Sequence, residues 1–202
     1  MSLVTLIESA DRDLITLIKD KLLRFEGAKT SPKQVPGTNL FLKGTSDFLN
    51  NIRVTSVLWE RGKITIYPIY DFEDAISFQF SGCIMAKFKF HNQYYVAHIH
   101  VTKDADDTRK QWIDLIRNTL GLSEITMFKP SVGVYSCEIW GVITNNGDCY
   151  SIGFDCFGKR SIVKKHVSYG NSLSDYQELF SANNENWDNF WSRPYANICR
   201  IS

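Results

Sequence analysis

Hydrophobic positions change period several times along the chain. Thr5-Leu6-Ile7-Glu8 has the form of a helix capping box, and Leu14, Ile15, Leu17, Ile18, Leu22 and Phe25 then recur at helical spacing before Gly27. The spacing predicts one amphipathic N-terminal helix. Residues 28–44 hold two prolines and two glycines at short intervals, which breaks either periodicity and predicts a surface loop. "IRVTSVLWE" and "KITIYPIY" are rich in β-branched and aromatic residues; joined by Arg61-Gly62, they predict two paired strands, with Pro68 marking an edge or a bulge. Residues 104–121 place acids first, then Trp112, Ile113, Leu115, Ile116 and Leu120 on one side, and a terminal glycine, as a helix would. From 123 to 167 the strand pattern returns around the turn sequence Asn145-Asn146-Gly147-Asp148. The tail, with Trp187, Phe190 and Trp191, predicts short packed helices. Strands outnumber helices and meet through hairpins, so the expected class is α+β, a mainly antiparallel β-sandwich flanked by helices, as one domain over 1–202.

One hairpin carries unusual chemistry. In "SFQFSGCIMAKFKFHNQYYVAHIHV", residues 77–101, two alternating runs flank a break at His91-Asn92-Gln93. With a two-residue turn at His91-Asn92, Phe90 faces Gln93, and Cys83 lies opposite His100 and diagonal to His98 on one sheet face. A three-residue loop would shift the register and move Cys83 to the other face unless a bulge restored it. Gly82 can take positive φ without Cβ strain and so turn Cys83 outward beside free backbone N–H groups. A thiol next to an imidazole can lose its proton, titrate below an ordinary thiol and attack a carbonyl carbon. His-x-His and a strand thiol also arise as ordinary strand composition, so this pattern alone does not assign catalysis.

Charge adds an exclusion. The chain has 23 Lys plus Arg against 22 Asp plus Glu, too balanced to draw in nucleic acid or an anionic membrane. The N-terminal apolar run is too short for a signal peptide, and no segment approaches a membrane span, which implies a soluble cytosolic product. The cysteines, at 83, 137, 149, 156 and 199, form no CxxC pair or zinc-like grouping, so neither a metal nor a disulfide framework is expected. Apart from Cys83, each reads as a small buried hydrophobe. No cofactor motif is present.

"FSGC" followed by "YYVAHIHV" resembles the Ser-Gly-Cys and downstream-histidine signature of the bacterial Cys-His glutamine deamidases, which include the cytotoxic necrotizing factor catalytic domain, the Burkholderia lethal factor and the chemoreceptor deamidases. The resemblance covers residues 77–101 and, with chain length and sandwich class, is nearest the Burkholderia factor type. Phe80 stands where that factor has leucine, and Ser77 where it has threonine. The resemblance implies Cys83 as nucleophile, His98 as general base and later acid, and Ser77 as the group that orients His98 through its hydroxyl or carbonyl. It implies a toxin- or effector-like monomer that needs no cofactor and converts a glutamine of a host or target protein to glutamate. A transglutaminase or protease would share the thioester, and a silent binding module could share the sandwich.

His100 is the alternative base, favoured by hairpin arithmetic. His91 and His166 read as solvated residues. Asp71, Glu73 and Asp74 read as ordinary acids of a connecting loop, and the basic stretch Lys159, Arg160, Lys164, Lys165 as a solvated strand or loop.

Overall fold

The computed structural model describes residues 1–27, 31–70, 72–101, 106–134, 136–155, 159–165 and 168–169. Its helices are α1 (Leu3–Ser9), α2 (Arg12–Gly27) and α3 (Asp106–Asn118). The strands are β1 (Lys33–Gln34), β2 (Leu40–Leu42), β3 (Gly44–Leu49), β4 (Ile52–Val57), β5 (Ile64–Ile69), β6 (Asp74–Ser77) and β7 (Ile84–Phe90). They continue as β8 (Gln93–Ile99), β9 (Leu122–Phe128), β10 (Glu138–Ile143), β11 (Cys149–Phe154), β12 (Arg160–Lys165) and β13 (Ser168–Tyr169). Seven form one sheet in the order β1-β2-β5-β8-β7-β9-β13, and six form the other in the order β12-β11-β10-β6-β4-β3. Neighbours run antiparallel except β2 beside β5 and β4 beside β6. The chain is an α+β sandwich of two mixed sheets.

Alternation along the strands sets up the layers. Met85 and Val96 point between the sheets, into a core shared with Val57, Ile69, Ala75, Phe128, Ile139, Ile143 and Cys149. Ile84, Ala86, Phe88, Ala97 and Ile99 point the other way, under Trp112 of α3. On the far side of the second sheet, Leu3, Leu6, Ile7 and Ile18 of α1 and α2 cover Val54, Ile76, Trp140 and Ile152. Both faces of the central strands are buried, so apolar residues run almost continuously there. A polar side chain at an inward position of β6 or β8 is consequently cut off from water.

Several elements depart from the sequence expectation. The N-terminal helix is two: Ser2 caps α1 by accepting from the Thr5 N–H, and Asp11 accepts from the Leu14 N–H to start a second helix. Asp11 interrupts the first helix because its carboxylate offers the backbone a competing N-cap. The loop at 28–44 contains β2 and β1. The runs 52–60 and 63–70 do not pair: β4 joins the six-stranded sheet and β5 the seven-stranded one, and the connection Leu58–Lys63 crosses between layers. Lys43 pins that corner, donating its N–H to the Ile66 carbonyl and accepting from the Leu58 N–H. Pro68 lies where β5 has run past its last β2 partner, so its missing N–H leaves no ladder bond unmade. The tail from 170 onward, Cys156, Cys199, His166 and Asp71 lie outside the described residues.

Glu73 and Asp74 are buried structural carboxylates rather than solvated loop acids. Asp74 accepts from the Leu3 N–H at 2.7 Å and from the Asn145 N–H at 2.8 Å, tying α1 and the β10–β11 turn to the start of β6. Glu73 pairs with Arg53 at 2.6 Å and accepts from the Thr55 hydroxyl. Asp74→Ala strands two N–H donors, and we expect it to cost about 2–4 kcal/mol in urea unfolding, against under 1 kcal/mol for the exposed Asp13→Ala.

Candidate functional site

The hairpin has the two-residue register. Phe90 pairs with Gln93 and Ile84 with Ile99, and His91 (φ 46°) and Asn92 (φ 63°) take the left-handed conformations of a type I′ turn. Met85 therefore stands directly opposite His98, and alternation places Cys83, Met85, His98 and His100 on the inward face.

His98 is 1% exposed, and its ring lies flat on Phe80, with centroids 4.2 Å apart and planes 5° apart. Its Nδ1 is 2.8 Å from the Ser77 hydroxyl, which itself is 2.6 Å from the Val57 carbonyl. A carbonyl can only accept, so the Ser77 proton goes to Val57 and Ser77 must accept from His98. This network assigns the proton to Nδ1 and leaves Nε2 as a bare lone pair. Among the described residues, Nε2 has no hydrogen-bond partner. Burial, then the neighbouring His100, lowers the His98 pKa from 6.5 to about 3, so the ring is neutral at physiological pH. Ser77 reaches His98 through its hydroxyl, one of the two routes open from the sequence.

His100 has the opposite polarity. Its Nδ1 accepts from the Gly62 N–H at 3.1 Å, so the neutral ring carries its proton on Nε2. Burial, then Arg61, lowers its pKa too. The two histidines share a face but offer different atoms: His98 a lone pair, His100 an N–H. Hairpin arithmetic favoured His100 as the residue opposite Cys83; the hydrogen-bond partners instead leave the free lone pair on His98.

Cys83 differs from expectation. It precedes β7 and is 2% exposed, not turned outward. Gly82 stays out of the positive-φ region, and Gln79, at φ 61°, supplies the left-handed residue in this segment. Burial pushes the thiol pKa up, so the resting sulfur is protonated rather than an activated thiolate. Four groups oppose that shift: the Val101 main chain, the Trp59 side chain, the Lys129 charge and the Gly82 main chain. No hydrogen bond joins Cys83 to His98 Nε2 in this conformation.

Two neighbours escaped the sequence reading. Trp59 sat inside an apolar strand-like run and Lys129 before a proline, and nothing in their spacing relates them to residue 83. Lys129 is 6% exposed, and burial, then Arg109, lowers its pKa while Cys83 acts the other way. His91 lies exposed in its turn, as expected, and Lys164 of the basic stretch pairs with Asp148 on an exposed surface.

Cys149 is free and buried, as expected, whereas Cys137 is disulfide-bonded. Its N–H donates to the Phe154 carbonyl at the open end of the β10–β11 hairpin, outside the ladder that buries Cys149. Disulfides persist in oxidising surroundings, so this bond does not fit the expected cytosolic chemistry. Among the described residues no cluster of three or more His, Cys, Asp or Glu is placed to hold a metal ion, and no helix is long and apolar enough to cross a membrane.

No protein-family model matches the chain, and neither a curated protein nor a solved structure is significantly similar to it.

Proposed function

We propose that the protein is a cysteine-dependent protein glutamine amidohydrolase, with Cys83 as nucleophile, His98 as base and acid, and Ser77 as the group that fixes the His98 tautomer. The observation that carries this reading is the buried, neutral His98 whose Nδ1–H is committed to Ser77 and whose Nε2 lone pair is unspent on the face it shares with Cys83. An unpaired buried acceptor costs about 1–3 kcal/mol, a cost that a catalytic role explains. The local Ser-Gly-Cys and histidine resemblance supplies the substrate class.

In this reaction Nε2 takes the thiol proton as sulfur attacks the carboxamide carbon. The tetrahedral intermediate breaks its C–N bond, and the same proton leaves on ammonia. Water then attacks the thioester, giving a proton to Nε2, and the sulfur departs and recovers it. The sum is amide plus water to carboxylic acid plus ammonia. A neutral thiol–imidazole pair suits this sequence, because the proton moves as the bond forms. We place the substrate on a protein of a host or target cell, with the enzyme acting as an effector-like monomer.

The burial of Cys83 favours a second reading, a non-catalytic sandwich in which the thiol is packing. The test is to incubate wild type and Cys83→Ser with lysates of bacterial and eukaryotic cells and compare peptides by high-resolution mass spectrometry. Wild-type-specific conversion of glutamine to glutamate, about one dalton heavier, supports the deamidase. New chain ends select a protease and amine adducts a transglutaminase. No wild-type-specific change in any lysate selects the binding module.

A further inference from the structure

Nothing in the proposed reaction uses Trp59, although its side chain is one of the groups that hold the Cys83 pKa down against burial. It belongs to the Leu58–Lys63 connection that crosses from one sheet to the other at the Cys83 end of the hairpin. Its partly buried ring packs on the cluster containing Cys83, Phe80 and Met85 and lies 5.7 Å from the His100 ring, tilted by 59°. The connection is held at several points. Lys43 Nζ donates to the Trp59 carbonyl at 3.0 Å and pairs with Glu60 at 2.8 Å, while the Gly62 N–H reaches His100. Gly62 has φ of 70°, so its turn needs a residue without Cβ strain.

We propose that Trp59 is the removable cover of Cys83 and, while in place, a hydrogen-bond donor to its sulfur. The inference rests on Cys83 being the nucleophile only for its role in turnover; the cover itself is a property of the fold. Indole is well suited to both tasks. Its broad ring excludes water, and its N–H is a donor only, so it stabilises sulfur as charge develops and cannot compete with His98 for the thiol proton. A carboxamide approaching Cys83 from the Trp59 side has to displace the ring, which is only partly buried. Long side chains on mobile peptide segments could enter by that route, whereas a residue held flat against a rigid surface could not. Trp59 thus selects for a glutamine in a protruding or flexible segment.

The cover is tested on the folded full chain with iodoacetamide, following Cys83 and Cys149 separately by peptide mass mapping from pH 6 to 10. Trp59→Ala should raise the Cys83 alkylation rate about tenfold or more while Cys149 stays protected. Trp59→Phe should keep the cover but lose the N–H, shifting the pH midpoint of Cys83 alkylation upward relative to wild type. An unchanged Cys83 rate in Trp59→Ala overturns the cover, and an unchanged midpoint in Trp59→Phe overturns the donor. If Trp59→Ala loosens the whole fold and both thiols accelerate together, the phenylalanine variant decides: Cys83 must remain as protected as in wild type, or the cover fails. Neither arm requires turnover. Inactivity toward every glutamine alongside a tenfold gain in Cys83 labelling would therefore sink the deamidase and leave the cover standing.

Discussion

Cys83→Ser should fold as wild type does and lose glutamine deamidation by on the order of 10³-fold or more. The substitution replaces sulfur by a smaller oxygen in a site 2% exposed to water, so shape and packing change little. The chemistry changes much more. An alcohol has to be deprotonated against a far higher pKa, and burial, which already pushes the thiol upward, would penalise an alkoxide further. Cys149→Ser is the matched control, because Cys149 is also buried, with its thiol pushed up to about 12, but belongs to β11 of the six-stranded sheet rather than to the hairpin that carries both histidines. Ammonia release and peptide mass should show full activity in the Cys149 variant and none in the Cys83 variant. Equal loss in both would assign the effect to destabilisation.

His98→Gln should reduce turnover by about 10²–10⁴-fold, the usual worth of a positioned general base, and should also flatten the acid dependence of stability. The direction follows from the lowered pKa. An unfolded histidine binds a proton below about 6.5, whereas His98 in the fold resists protonation until about 3. Its contribution is intact above pH 6.5 and is lost as pH falls from 6.5 toward 3, on the order of several kcal/mol at most. Urea unfolding at pH 7.5 and pH 5 should therefore show a larger drop for wild type than for His98→Gln. His100→Gln should show a smaller change in the same direction and retain measurable turnover. Identical pH responses in wild type and His98→Gln would refute the buried neutral ring.

The sequence displayed the hairpin because its information is local. A left-handed pair at His91-Asn92 fixes the register, and from that register the shared face of Cys83, His98 and His100 follows by alternation. The layered class was legible for the same reason. What remained hidden depends on distant partners. Residues 52–60 and 63–70 look like a hairpin because each is a good strand beside a turn; only the opposite sheet's demand for β4 separates them. Gly82 seemed to need positive φ before Cys83, yet glycine permits it without requiring it: the chain bends at Ser81-Gly82 with Gly82 outside that region, and Gln79 takes the positive φ. Glu73 and Asp74 looked solvated because their partners, Arg53, Leu3 and Asn145, come from other parts of the chain. Trp59 reaches Cys83 only because the corner at Lys43 folds the two layers together.

The route from His98 through Ser77 to Val57 crosses from the seven-stranded sheet to the six-stranded one. Which imidazole nitrogen holds the proton is thereby decided by how the two layers are aligned. A slide of the layers by the length of one hydrogen bond would release Nδ1–H from Ser77 and free the ring to exchange tautomers. Nitrogen chemical shifts of the His98 ring would then report, without any substrate, whether the two sheets move as one body or slip.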